Sequence, residues 1–140
     1  MITVFCPDRK SQKEISNTLK KLNIGYFQHR NIVLVDSLVS HGVCESRDKR
    51  ALLYFQNKKL PVVTCGMGLT DTLTLSSFND GTALITVQRE LPFEYEESEK
   101  PEEFTLRFTG NPTPFSVMAV FIILLCSSRF NPSKFINFLN

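Results

Sequence analysis

The chain has 140 residues, four cysteines and a net charge of +2. Its hydrophobic fraction of 42% and charged fraction of 21% exclude a disordered chain and predict a folded protein with a core. A chain of this length suits one domain, so we treat residues 1–140 as a single α/β domain that needs no disulfide or metal to fold.

The cysteines and the start of the chain predict a reducing compartment. No two of the four cysteines form a CxxC pair or a set with zinc-ligand spacing; they are Cys6, Cys44, Cys65 and Cys126. The chain opens in an apolar, strand-like run and not in a signal peptide. We therefore expect free thiols and a cytoplasmic location.

The charges are unevenly distributed along the chain. Residues 1–60 hold eleven Lys and Arg against five Asp and Glu, whereas residues 61–140 hold five against nine. The basic residues are scattered over predicted helices and are not interleaved with aromatic residues. We expect solvated surfaces of opposite sign and no nucleic-acid partner.

The first half alternates strand and helix patterns. Strands are predicted over residues 2–6, 31–38 and 62–65, and helices over residues 11–22 and 46–57. Ser11 reads as the N-cap of the first helix, with Glu14 completing a capping box. This order predicts right-handed parallel crossovers and a three-layer, Rossmann-like sheet covered by helices.

Residues 60–78 separate two kinds of sheet. They begin as a continuous apolar run, break at a turn that contains Gly66 and Gly68, and resume in strict alternation. Residues 72–77 and 82–88 alternate around Asn-Asp-Gly, a hairpin signal, and residues 104–108 alternate again. A small antiparallel β-meander should therefore follow the parallel strands, with a solvated Glu-rich loop over residues 94–103.

The C-terminal part is rich in phenylalanine. Within residues 115–128, the twelve positions 115–126 are apolar except for Ser116, short of the ~20 that span a bilayer, so we predict a buried helix and no membrane span. A last helix is predicted over residues 132–139. Because a helix that is apolar all round needs cover on nearly every side, we predict a homodimer. Five aromatic residues would form its interface: Phe115, Phe121, Phe130, Phe135 and Phe138.

A ligand cleft is the rival interpretation. Cys6, Asp8 and Arg9 follow the first strand, at the edge of a parallel sheet where sites form, and a thiol there would have a lowered pKa. The glycines at 66 and 68 would let backbone N–H groups approach an anion. No phosphate-loop sequence or Cys-phosphatase arginine completes either site, so we predict no catalytic residue, metal or cofactor. We expect Cys65 and Cys126 to be buried, with Cys6 and Cys44 more accessible.

Residues 31–139 resemble the second half of a Mur ligase central domain. Residues 61–66, Pro-Val-Val-Thr-Cys-Gly, are similar to that family's buried strand and V-I-T-Y-G turn. Residues 81–87, Gly-Thr-Ala-Leu-Ile-Thr-Val, are similar to its G-T-x-x-x-x-V strand. Residues 110–116 stand where the family has G-x-H-N-x-x-N before an apolar helix. The resemblance implies a Rossmann-like bacterial domain.

The same resemblance implies that ATP is not bound in the family's way. The G-K-[ST] loop is absent from this chain. The family's His-Asn pair falls on Pro112 and Thr113, and its second Asn falls on Ser116.

Three function classes remain open at this stage. The first is a non-catalytic bacterial cytoplasmic domain that binds a protein partner or itself. The second is a small-ligand or anion-binding protein, or an enzyme, that uses the cleft near Cys6 and Asp8 and the glycines Gly66 and Gly68. The third is a peripheral membrane protein that uses the Phe-rich C-terminus.

Overall fold

The computed structural model describes residues 1–95 and 102–139, so most of the predicted Glu-rich loop lies outside the described residues. The described chain folds into one mixed nine-stranded sheet with three helices. In chain order the strands are β1 (Ile2–Phe5), β2 (Tyr26–His29), β3 (Ile32–Val35), β4 (His41–Glu45), β5 (Val62–Gly66), β6 (Leu73–Asn79), β7 (Thr82–Val87), β8 (Glu102–Thr109) and β9 (Phe135–Asn137). Their order in the sheet is β2-β3-β1-β4-β5-β6-β7-β8-β9.

The parallel part of the sheet runs from β1 through β4 and β5 to β6, and β9 also pairs parallel to β8. The strand predicted over residues 31–38 is β3, which runs antiparallel to β1 and forms a hairpin with β2. Its predicted place beside β1 in the parallel sheet is taken by β4, which the sequence pattern did not reveal. One reason is Gly42, a weak strand former that is needed here because the Phe55 ring lies 2.6 Å from where its Cβ would be.

The antiparallel meander is confirmed. Strands β6, β7 and β8 pair antiparallel, and the β6–β7 turn contains Gly81 at φ +79°, a conformation that favours glycine. The parallel strand β5 meets β6 through only two residue pairs, at Cys65 and Gly66. Thr64 and Thr72 reinforce this narrow junction, because the hydroxyl of each accepts from the backbone N–H of the other.

The helices are α1 (Arg9–Lys21), α2 (Lys49–Lys58) and α3 (Pro114–Cys126). Asp8, not Ser11, caps α1, so the predicted capping box does not form. Asp48 caps α2, which therefore begins three residues later than predicted. Side chains of α1 and α3 share one core cluster, whereas Ala51 and Phe55 of α2 belong to a separate cluster with Phe5.

The C-terminal predictions are corrected in two respects. The predicted helix over residues 132–139 is instead β9, which pairs parallel to β8. Phe115, Phe121 and Phe138 are buried in the chain's own core, where Phe138 packs edge-on against Phe108.

The remaining two phenylalanines of the predicted interface differ from each other. Phe130 packs edge-on against Phe104 and Phe121, whereas Phe135 is 59% exposed. The chain itself therefore covers α3, and only Phe135 of the five is mainly on the surface. No helix among residues 1–95 and 102–139 is long and apolar enough to cross a membrane.

Candidate functional site

A crevice lies at the carboxyl ends of β1 and β4. The chain leaves β1 toward β2 on one side of the sheet and leaves β4 toward β5 on the other. Such a reversal is the place where open α/β sheets usually bind ligands. The crevice has a volume of about 470 Å³, and its walls include Cys6, Glu45, Arg47, Asp48 and Arg50. Of the five predicted site residues, Cys6 lines this crevice, whereas Asp8, Arg9, Gly66 and Gly68 are not among its wall residues.

Cys6 cannot serve this crevice as a nucleophile. Its side chain is buried, and burial, with a smaller effect from Asp8, raises the pKa of the thiol to about 12. The predicted lowering of this pKa is wrong because burial disfavours the charged thiolate and the neighbouring carboxylate of Asp8 disfavours it further. Arg9 is the first residue of α1, and its side chain is exposed.

Carboxylates of the chain occupy the helix N-termini at the crevice. Asp8 Oδ1 accepts a hydrogen bond from the backbone N–H of Ser11 at 2.7 Å. Asp48 Oδ1 accepts one from the N–H of Ala51 at 3.1 Å. These are the donors that a bound phosphate would use, and here they are satisfied by internal anions.

The turn between β5 and β6 is filled in the same way. Asp71 is buried, and its Oδ2 accepts a hydrogen bond from the backbone N–H of Gly68 at 2.9 Å. A Cβ on Gly66 would lie 2.4 Å from this oxygen. Gly66 therefore leaves room for the carboxylate of Asp71, which takes the position predicted for a ligand anion.

Gln88, which directly follows β7, fixes this turn. Its Nε2 donates to the carbonyl oxygen of Gly68 at 3.0 Å and to that of Asp71 at 2.8 Å. The N–H of Asp71 also donates to the Gly68 carbonyl at 3.3 Å. Residues 66–71, which we name the braced turn, are thus held at both ends by internal hydrogen bonds.

The start of α3 is also bonded to a carboxylate of the chain, as are the starts of α1 and α2 and the β5–β6 turn. Glu14 Oε1 accepts from the backbone N–H of Thr113 at 3.1 Å and from Ser116 Oγ at 2.8 Å. Lys10 Nζ lies 3.5 Å from the second oxygen of Glu14. The turn that leads into α3 is therefore closed by the carboxylate of Glu14 from α1.

The charges in the crevice are balanced by the chain itself. Burial raises the pKa of Glu45, Arg47 lowers it, and Asp8 and Asp48 raise it further. Among residues 1–95 and 102–139, no group of three or more His, Cys, Asp or Glu is placed to hold a metal ion.

The braced turn presents two large apolar side chains to solvent. Met67 is 74% exposed and Leu69 is 92% exposed. The sequence analysis noted the glycines of this turn but not Met67, Leu69, Asp71 or Gln88. The available signal was an Asp in a glycine-containing turn, a residue type whose side chain often hydrogen-bonds nearby backbone groups.

Comparison with protein-family models, with curated proteins and with solved structures finds no match for this chain.

Proposed function

We propose that this protein is a non-catalytic binding module that docks a partner protein through the braced turn. The observation that carries the proposal is the exposure of Met67 and Leu69 on a turn that hydrogen bonds from Asp71 and Gln88 hold in place. Large apolar side chains gathered at an exposed point indicate an interaction surface. Burying the two would contribute about 1.5–3 kcal/mol each to binding.

The bracing favours binding. A flexible loop loses conformational freedom when a partner orders it, and this opposes association. Here Asp71 and Gln88 already hold the turn. The partner would therefore need only a concave apolar surface that receives Met67 and Leu69.

The rival interpretation, a small-ligand or anion-binding protein or an enzyme, has less support. A ligand could bind the backbone N–H groups at these positions only by displacing Asp8, Asp48 or Asp71 from them. Its proposed nucleophile, Cys6, is buried with a raised pKa.

Self-association is a second candidate, supported by the apolar surface of β9. Phe135 is exposed beside Leu139 on an edge strand that pairs only with β8 among the described strands. If the chain self-associates, light scattering should give a mass above the 16.0 kDa of the monomer. Phe135→Glu should then return the mass to that of the monomer. Phe138 is unsuitable for this test because it is buried against Phe108. A mass near 16.0 kDa for the unmodified chain would remove this candidate.

We also propose a cytoplasmic location and kinship with the Mur ligase central domain as part of a Rossmann-like, three-layer fold. The four free thiols support the location. The order of β5, a glycine-containing turn and the β6–β7 hairpin supports the kinship. The separate core clusters beneath α2 and beneath α1 with α3 support the layers.

Substitution of the exposed turn residues tests the proposed function. Partners that the unmodified chain captures from its native cells should be lost by Met67→Ser with Leu69→Ser, with binding reduced about 100-fold or more. The matched control is Leu38→Ser with Leu53→Ser, which changes two exposed leucines elsewhere. Both double variants should melt at the temperature of the unmodified chain. Equal capture by both double variants would refute the proposal.

A further inference from the structure

The strand β2 forms one open edge of the sheet. It pairs only with β3 among the described strands. The N–H of Asp36 donates to the carbonyl of Gly25, next to the pairing of Tyr26 with Val35. Because hydrogen-bonded pairs alternate along an antiparallel ladder, the backbone groups of Tyr26 and Gln28 point away from β3. They face the open side of the sheet.

One face of this edge is basic. Ser16 Oγ donates to Gln28 Oε1 at 2.7 Å, and Gln12 Nε2 donates to the Arg30 carbonyl, so α1 runs alongside β2. Three exposed cations share the helix stripe of Ser16 at steps of three and four residues: Arg9, Lys13 and Lys20. We name these three residues the basic stripe.

Within the described part of the chain, no ion pair joins the basic stripe to a carboxylate, and Asp8 beside Arg9 is bonded to the backbone N–H of Ser11. The only carboxylate of α1, Glu14, is directed to Ser116 on α3. Asp36, at the far end of the β2–β3 hairpin, has its carboxylate against Gly25. The stripe therefore presents a positive surface along the edge.

The other face of the edge is apolar. Successive side chains along a strand point to opposite faces, so Phe27 is turned away from the face that Gln28 shares with α1. Phe27 is 60% exposed and stands opposite half-buried Leu34 on β3. Ile32, on the same face as Leu34, packs against the cluster of Phe5 and α2.

We propose that β2 docks an extended peptide segment of a partner whose residues alternate between acidic and apolar. Its backbone pairs with the N–H and C=O groups of Tyr26 and Gln28, which is strand addition to a sheet edge. Its acidic side chains face the basic stripe, and its apolar side chains cover Phe27. A second copy of β2 is the wrong occupant because it would bring two basic stripes together. This surface is independent of the braced turn.

The test uses a short synthetic peptide that alternates Glu and Val, with two matched peptides as controls. One control alternates Lys and Val, and the other has the same residues as the first in blocks. Calorimetry should show binding of the alternating acidic peptide tighter than ~1 mM, and binding of either control at least about tenfold weaker. Binding should weaken as salt rises, because the contact is between exposed charges.

Variants assign the binding to the edge. Gln28→Pro removes an outward N–H that the β2–β3 ladder does not use, and it should weaken binding about tenfold or more. Lys13→Glu with Lys20→Glu should weaken binding of the acidic peptide and strengthen binding of the lysine peptide. Lys58→Glu and Leu53→Ser, both exposed on α2, should leave binding unchanged. Absence of binding at ~1 mM would overturn the proposal. So would equal binding of the lysine peptide to the unmodified chain, or indifference to both the proline and the charge-reversal variants.

Discussion

Cys126 is the cysteine most open to solvent, and the other three thiols are buried. Burial raises the pKa of Cys6 and of Cys44 to about 12, and that of Cys65 well above its usual value. Because the thiolate is the reactive form, we predict that a maleimide at pH ~8 modifies Cys126 first. Mass spectrometry should find a single modification before denaturant is added.

The sequence-based prediction of accessible thiols is wrong for Cys6 and Cys44, which are buried, and that of burial is wrong for Cys126, whereas Cys65 is buried as predicted. Cys126→Ser should abolish the early modification and leave the three slow ones. Rapid modification of Cys6 in the native protein would contradict the burial of the β1 end. Sequence reasoning placed Cys126 inside a uniformly apolar helix, but the residue ends α3, where the cover from the core stops.

His41 should make stability depend on pH. The ring is buried and stacked on Phe93 with centroids 5.4 Å apart, and burial is the main cause that lowers its pKa. In the unfolded chain, His41 therefore binds a proton near pH ~6.5, whereas in the native state it stays neutral at that pH. The free energy of unfolding should fall from there down to the lowered native pKa, by at most ~1.4 kcal/mol per pH unit.

Urea titrations of the unmodified chain and of His41→Leu at several pH values would isolate this contribution. The difference between the two should shrink or change sign as the pH falls below ~6.5, because only the histidine chain has the proton to bind. Glu45, whose pKa is raised mainly by burial, acts in the opposite direction in both chains and cancels. A constant difference from pH ~7 to ~5 would contradict a neutral buried His41.

At the scale of elements, Glu14 joins α1 to the start of α3. Glu14→Ala would leave the N–H of Thr113 and the hydroxyl of Ser116 without this acceptor in a buried place. We predict a loss of about 2 kcal/mol in the free energy of unfolding. Glu14→Gln keeps one acceptor oxygen and should lose less. Lys10→Ala removes an exposed ion-pair partner of Glu14 and a hydrogen bond to the Asn111 carbonyl, so it should cost less, about 1 kcal/mol at most. Equal urea midpoints for Glu14→Ala and Lys10→Ala would contradict the link.

The sequence predicts elements well where packing imposes a clear period. The β6–β7 hairpin follows from alternation around a glycine turn, and α1 and α3 follow from their apolar patterns, although Asp8 and not Ser11 caps α1. It fails at the edges of the sheet. In β9, apolar Phe135 lies on the exposed side and apolar Ile136 on the buried side, so the alternation is invisible and a helix fits equally well. β2 has mainly exposed residues and offers little hydrophobic pattern.

At the scale of the whole molecule, the sheet has a crevice where a ligand could bind, but carboxylates of the chain itself already bond to the backbone donors there. Topology places a crevice at the carboxyl ends of β1 and β4, as the alternating elements indicate. The residues that accept from these backbone N–H groups could not be predicted from the sequence. Asp71 meets the N–H of Gly68, and Glu14 meets the start of α3, only once the chain has folded. Asp71 and Glu14 are ordinary acidic residues in the sequence, yet both are buried against backbone donors.

Titration with MgATP, and separately with pyrophosphate, tests most directly whether the chain's own carboxylates close these positions. The readouts are the heat of binding and the amide resonances of Ser11, Ala51 and Gly68, the three donors paired with Asp8, Asp48 and Asp71. We predict no saturable heat and no saturable shift of these resonances up to ~1 mM, a limit of about −4.1 kcal/mol. Saturable binding tighter than this, with the Gly68 resonance moving, would show that a ligand displaces Asp71 and would contradict the account.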